Sequence, residues 1–228
     1  MQLGRINTTL VSLTDPDSFA AEQYQGLRLK IEALKRTRGV SVLAVTSPGV
    51  SEGKTVTSIN LAISLARGSG TRVLLIDADL RRPAVEAHLG LPASSGVGLT
   101  DALRDERISL RQIVRAINRS TVSVVLAGSS RIHVPELLRS PRFESLLHEA
   151  RALYDFVVLD TPPLAPVYDA AVVSRLVDGV LIVVAAHETP RQLLEQTMNL
   201  VDESKVLGFV FNSDDSTPSG QYDAYYKR

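Results

Sequence analysis

The chain has 228 residues, 25 basic against 25 acidic, 44% hydrophobic and without cysteine. That length and apolar content suffice for one well-buried α/β core, while the balanced charge gives no electrostatic footprint for nonspecific attraction to nucleic acid or to bulk membrane. Disulfides and thiol catalysis are excluded, the longest apolar run (near Val180 to Ala186) is far short of the roughly 20 residues a membrane helix needs, and no basic segment leads into a long apolar stretch at the N-terminus, so a single domain without a secretory signal is expected, compatible with a reducing cytosol.

In chain order, Asp15-Pro-Asp-Ser18 supplies helix-starting residues, and a helical pattern runs from about Phe19 to Leu34. It ends in Lys35-Arg36-Thr-Arg38, where positive charge complements the helix dipole. Six short runs rich in β-branched residues follow: Val42 to Thr46, Val73 to Ile76, Val122 to Leu126, Phe156 to Leu159, Val180 to Val184 and Val206 to Phe211. They alternate with longer helical patterns and are apolar throughout, which suits strands buried on both faces. The expected fold class is therefore α/β, a mainly parallel sheet flanked by helices in three layers. The expected organisation is one domain over 1–212, with its N-terminal helix at about 19–36, and a flexible polar tail over 213–228.

Between the first strand and the helical run Ser58 to Ala66 lies Ser47-Pro-Gly-Val-Ser-Glu-Gly53-Lys54-Thr55. A Gly-Lys-Thr at a helix start aims backbone N–H groups, an ammonium and a hydroxyl at one point, which suits the phosphates of a nucleoside triphosphate and their Mg²⁺. The strict spacing would place glycine at position 48, where this chain has Pro48 followed by Gly49. Gly49, Val50, Ser51, Glu52, Gly53, Lys54, Thr55 and Val56 are the candidate nucleotide-binding loop. In a parallel sheet, ligands bind beyond the carboxyl ends of the strands, so strand ends are read together. The second strand runs into Asp77-Ala-Asp79-Leu-Arg81 and the fourth into Asp160-Thr-Pro-Pro163. A lone strand-end aspartate is ordinarily a turn or helix cap; three of them beside one phosphate loop match the one or two carboxylates that accompany phosphate oxygens and a hydroxyl around Mg²⁺.

Other chemistries fit worse. Gly96-Val-Gly98-Leu-Thr-Asp101 is not placed after the first strand and lacks the last glycine of a dinucleotide fingerprint. His88, His133, His148 and His187 have no paired zinc spacing, and no G-x-S-x-G nucleophile elbow occurs. Two features reach past a minimal ATPase. Asp77 and Asp79 give more carboxylates than a phosphate loop needs, and one is available to take a hydroxyl proton. The tail holds Tyr222, Tyr225 and Tyr226, half of the six tyrosines, placed either to reach a neighbour's site or to pack back on the body.

On these residues the chain resembles the bacterial tyrosine kinases that act with chain-length regulators in capsular and exopolysaccharide production, a branch of the P-loop ATPases related to MinD and ParA. The likeness runs from about Glu22 to the C-terminus. It rests on the Walker A segment SPGVSEGKT, on Val73-Leu-Leu-Ile-Asp-Ala-Asp-Leu-Arg-Arg-Pro83 as a Walker A′ motif, on Phe156-Val-Val-Leu-Asp-Thr-Pro-Pro163 as Walker B, and on the tyrosine-bearing tail. Leu126-Ala-Gly-Ser-Ser followed by Pro135-Glu-Leu-Leu-Arg-Ser140 looks like a further family segment. Ser51 stands where the family typically has glycine.

The resemblance implies roles. Lys54 would bind the β/γ-phosphates of ATP, Thr55 would ligate Mg²⁺, Asp79 and Asp160 would hold the metal directly or through water, and Asp77 would activate the tyrosine hydroxyl. Asn212 would contact the base, although alone it reads equally as a turn former. Tyr222, Tyr225 and Tyr226 would be phosphoacceptors, used in trans. The family's E-x-x-R-x-x-R motif for ring assembly appears as Glu22, Gln25 and Arg28 on one helix face, with glutamine in the middle. Implied partners are a membrane chain-length regulator whose cytosolic tail activates the kinase, further copies of the chain, and polysaccharide-synthesis enzymes as substrates, with no nucleic acid. The implied location is cytoplasmic, at the inner face of the membrane. One rival is a MinD/ParA-like ATPase switch that recruits partners without phosphorylating protein, but those proteins carry an extra lysine early in the loop and none precedes Lys54 here. Another is a nucleotide-binding regulatory subunit that serves as a scaffold.

Overall fold

The computed structural model describes residues 6–92, 96–117, 122–128 and 134–214; Tyr222, Tyr225 and Tyr226, most of the expected tail, His133 and the Ser129-Ser130 pair lie outside them. Among the described residues seven strands form one sheet: β1 (Val42–Thr46), β2 (Val73–Asp77), β3 (Val114–Ala116), β4 (Val122–Val125), β5 (Phe156–Asp160), β6 (Gly179–Ala185) and β7 (Val206–Asn212). Their spatial order is β3-β4-β2-β5-β1-β6-β7. All neighbours run parallel except β3 against β4, so the ends of β1, β2 and β5 converge on one edge. Strands β1, β2, β5 and β6 are buried at every position, which is why their sequences are continuous apolar runs. Strand β3 was not foreseen. Its three residues are half-exposed at the sheet margin and carry no buried run to betray them.

The helices are α1 (Val11–Thr14), α2 (Phe19–Arg38), α3 (Lys54–Ala66), α4 (Val85–His88), α5 (Leu99–Arg104), α6 (Leu110–Ile113), α7 (Val134–Leu138), α8 (Pro141–Leu153), α9 (Asp169–Ser174) and α10 (Arg191–Met198). They close a core on each face. On one, Phe143, Leu146 and Leu147 of α8 and Val173 of α9 pack against β1, β5 and β6. On the other, Ile59, Leu61, Ile63 and Leu65 of α3 share a core with residues of β1, β2 and β5 on one side and Ile31 of α2 on the other. Helix α3 is thus sandwiched, and this explains why it is buried almost all round, its small polar residues included.

Helix α2 is capped as its sequence suggests: Ser18 Oγ accepts from Ala21 N at 3.2 Å and Gly39, at φ 73°, terminates it. The basic last turn also anchors the helix to the body. Lys35 donates to the Asp155 carbonyl and lies 4.4 Å from the Phe156 ring centre, and Arg38 donates to the Ser204 carbonyl at 2.8 Å. Arg28 pairs along the same helix with Glu32 at 3.6 Å.

At the end of the sheet where β1 and β6 begin, Asp178 accepts from Ser41 N at 2.9 Å, from Val42 N at 2.8 Å, and from both terminal nitrogens of Arg151 at 2.8 and 2.7 Å. Burial pushes this carboxyl up, but the guanidinium and the two N–H groups outweigh it and hold the Asp178 pKa at about 2. Among the described residues no helix is long and apolar enough to cross a membrane.

Candidate active site

The loop from β1 to α3 is braced before any ligand arrives. Ser47 Oγ donates to the Gly49 carbonyl at 2.6 Å, Gly49 N donates to Glu52 Oε1 at 3.0 Å, and Asn212 Nδ2, at the end of β7, donates to the Glu52 carbonyl at 3.1 Å. Gly53 caps α3 at φ 87°, and a Cβ there would come 2.0 Å from Asn212 Nδ2, so both the dihedral and the space require glycine. Ser51 adopts φ 62°, the left-handed region that glycine enters freely and serine enters at a cost of about 1 kcal/mol or more. The displaced glycine at position 49 lets the Glu52 carboxylate lie against the loop: a Cβ on Gly49 would meet Glu52 Oε1 at 3.0 Å. The sequence placed Glu52 in the loop without revealing this inward brace.

Beyond the loop stand the carboxylates. Asp77 and Asp160 are register partners at the ends of β2 and β5, 1% and 0% exposed. Asp79 Oδ2 is 3.1 Å from Lys54 Nζ, and Asp79 Oδ1 accepts from Arg82 N at 3.0 Å. Asp77 Oδ2 accepts from Val85 N at 3.2 Å, but among the described residues Asp77 Oδ1 and both Asp160 oxygens are buried without a hydrogen bond of good geometry, the Thr55 hydroxyl being the neighbour nearest to giving Asp160 one. Burial drives the Asp77 pKa well above the usual carboxylate range, and the Asp160 charge adds to it against the Val85 N–H. Burial raises Asp160 to about 6, with Lys54 and the Thr55 hydroxyl pulling it down and Asp79 pushing it up. Arg81 reaches across to the start of α9, its Nε 2.5 Å from Asp169 Oδ2, and fixes the loop after β2. No local pattern announced that partner.

The three orphaned buried oxygens test the implied metal. Carboxylates and the hydroxyl of Thr55, a residue 7% exposed, are hard oxygen donors of the kind Mg²⁺ takes. Among the described residues no three acidic or histidine side chains cluster tightly enough to cage an ion. Mg²⁺ keeps waters and phosphate oxygens and takes only one or two protein carboxylates, which the carboxylates and hydroxyl present can supply. The donors therefore fit. Asn212 is brought to the phosphate loop, where its amide meets the Glu52 backbone. Beside the loop opens a cleft of about 470 Å³, lined by Gly49 to Glu52 together with Pro166, Glu188, Thr189 and Leu193, but not by Lys54 or the three aspartates.

Residues 41–207 match the family model described as an AAA domain. Across 97% of its length the chain is 34% identical to tyrosine-protein kinase YwqD of Bacillus subtilis, of which the match covers 92%. The chain belongs to the bacterial tyrosine-protein kinase family. The kinase domain of Escherichia coli tyrosine kinase ETK superposes with a TM-score of 0.83 at 27% identity, over 97% of this chain and 88% of that one. Succinoglycan biosynthesis transport protein ExoP of Rhizobium meliloti is 34% identical over 92% of this chain, which spans only 27% of that longer protein. The ETK kinase domain thus shares the fold described above.

Proposed function

We propose that the chain transfers the γ-phosphoryl group of ATP to tyrosine hydroxyls, including Tyr222, Tyr225 and Tyr226 of a neighbouring copy, and so regulates assembly of an extracellular polysaccharide. The observation that carries this reading is Asp77: a buried carboxylate with one oxygen unpartnered and a raised pKa, beyond what the Lys54–Asp79 pair and Asp160 already supply. A base of raised pKa takes a phenolic proton more readily than an ordinary aspartate. When bound with ATP, Mg²⁺ would supply charge neutralisation to the phosphates.

The residues then divide the task. The backbone from Gly49 to Val56 cradles the phosphates, and Lys54 exchanges Asp79 for the β/γ-phosphate oxygens. Thr55, Asp79 and Asp160 would hold Mg²⁺ directly or through water. The phenolic oxygen forms the new P–O bond, the bond from the γ-phosphorus to the β-phosphate bridging oxygen breaks, the phenolic proton passes to Asp77 Oδ1, and ADP leaves. Catalysis is mostly positioning and charge neutralisation. Asn212, next to the loop, serves the base end of the nucleotide.

The working unit is a kinase domain over 1–212 with an acceptor tail over 213–228. Since ExoP, named for transport, holds the matching unit within a much longer protein, a membrane chain-length regulator is the fitting partner, holding the chain at the inner face of the membrane and activating it. Self-association brings tails to neighbouring sites, and polysaccharide-synthesis enzymes are further substrates. The test is site-resolved mass spectrometry of the tail after incubation with Mg²⁺ and ATP, beside Lys54→Met. Phosphate on a tail tyrosine that vanishes in the control supports the reading. ATP hydrolysis with an unmodified tail, even after addition of a regulator tail peptide, would replace it with an ATPase switch.

A further inference from the structure

The cleft beside the phosphate loop has features the phosphoryl-transfer reading leaves unused. Its walls include the apolar side chains of Val50, Pro166 and Leu193, and a volume of about 470 Å³ lies in the range of small-ligand pockets. Glu52 lines it, is only 6% exposed, and among the described residues its Oε2 has no hydrogen bond of good geometry, although Thr189 and the Ala185 N–H lie near the carboxylate. An apolar slot containing one buried acceptor suits a group with an apolar body and a donor tip, which describes a tyrosine ring and its hydroxyl.

The described chain ends at the rim of this slot. Asn212 donates to the Glu52 carbonyl, and Asp214 Oδ1 lies 3.8 Å from Nε2 of His187, the residue before cleft-lining Glu188 and Thr189. Tyr222 follows eight residues after Asp214, a reach of up to about 28 Å when extended. The basic pair Lys227-Arg228 complements Glu188, which stands in the cleft lining. We propose that this cleft docks a tyrosine side chain of the chain's own C-terminal tail, in cis. The ring lies between Val50, Pro166 and Leu193 and its hydroxyl donates to Glu52 Oε2. A short tether gives the tail a local concentration in the millimolar range, ahead of any tail on another copy in dilute solution. Docking in cis withholds the tail from a neighbour's catalytic site until something displaces it. The docking itself needs no phosphoryl transfer and is tested separately from the kinase reading, on which only its withholding of the tail rests.

The test uses the full chain without nucleotide and a fluorescent synthetic peptide of residues 215–228, followed by anisotropy. Tyr222→Ala, Tyr225→Ala and Tyr226→Ala combined should empty the cleft and let the peptide bind, at least about tenfold more tightly than to the wild-type chain. The wild-type masking should persist on dilution. Masking that disappears on dilution would assign the cleft to the tail of a second copy and overturn the cis proposal. Equal affinity of the two chains for the peptide would overturn it too. Adding Leu193→Arg to the emptied chain should abolish peptide binding. A peptide with all three tyrosines replaced by alanine checks the same contact without altering the protein; if it binds as well as the native peptide, the tyrosine slot is wrong.

Discussion

Asp178, where β1 and β6 begin, has two backbone N–H groups and a bidentate arginine around it; Asp77 and Asp160, where β2 and β5 end, are more deeply buried and hold three oxygens without a hydrogen bond of good geometry among the described residues. The same residue type on the same sheet is thus held with a depressed pKa at one end and raised pKa values at the other. The difference separates bracing from reacting. A carboxylate that stabilises a fold has all its lone pairs answered by the protein, whereas one kept for a ligand is left short at a cost in stability.

Four experiments would sharpen or break that contrast. Lys54→Met, at the unsatisfied end, should lower tail phosphorylation by on the order of 10³-fold with the far-UV circular dichroism unchanged. Asp77→Asn should reduce kcat by about 10²–10⁴-fold while leaving the affinity for ATP, measured by calorimetry, nearly as it was; a matching loss of affinity would show Asp77 acting on the nucleotide instead of the acceptor. At the satisfied end, Asp178→Ala should remove about 2–3 kcal/mol from unfolding in urea, with kcat per folded molecule unaltered. Asp160→Asn should do the reverse, destroying activity yet stabilising the metal-free protein by on the order of 1–2 kcal/mol.

The last effect has a definite pH window. A carboxyl raised from 3.8 to about 6 favours the folded state fully below pH 3.8, and that contribution is lost as the pH rises through about 6. The stability gap between Asp160→Asn and wild type should therefore open across that interval and level off above it. Asp178, depressed to about 2, runs the other way: its contribution is present above 3.8 and disappears as the pH falls through about 2. Melting temperatures of Asp178→Ala and Asp160→Asn across both intervals would test the two signs, and parallel curves for the two variants would remove the contrast.

Much of this was legible in the sequence. Six of the strands declare themselves because a parallel strand buried on both faces needs an uninterrupted apolar run, and the strand ends then put Lys54, Asp77, Asp79 and Asp160 together. Strand β3 is invisible since Val114-Arg-Ala116 sits half-exposed at the margin and pairs antiparallel. The Arg81–Asp169 contact spans 88 residues, beyond any local pattern. Glu52 was legible as a loop member only; that its side chain turns inward to Gly49 depends on where the first glycine falls. Likewise Pro48 and Ser51 read as departures, and only the backbone reveals that Ser51 takes the left-handed conformation regardless.

The amide of Asn212 joins the last strand to the phosphate loop through one 3.1 Å hydrogen bond. Among the described residues strand β7 is paired on one side only, along β6. A bound protein that engages this edge and shifts Asn212 is therefore expected to move the Glu52 backbone, so that what docks on the last strand is felt in the loop between β1 and α3.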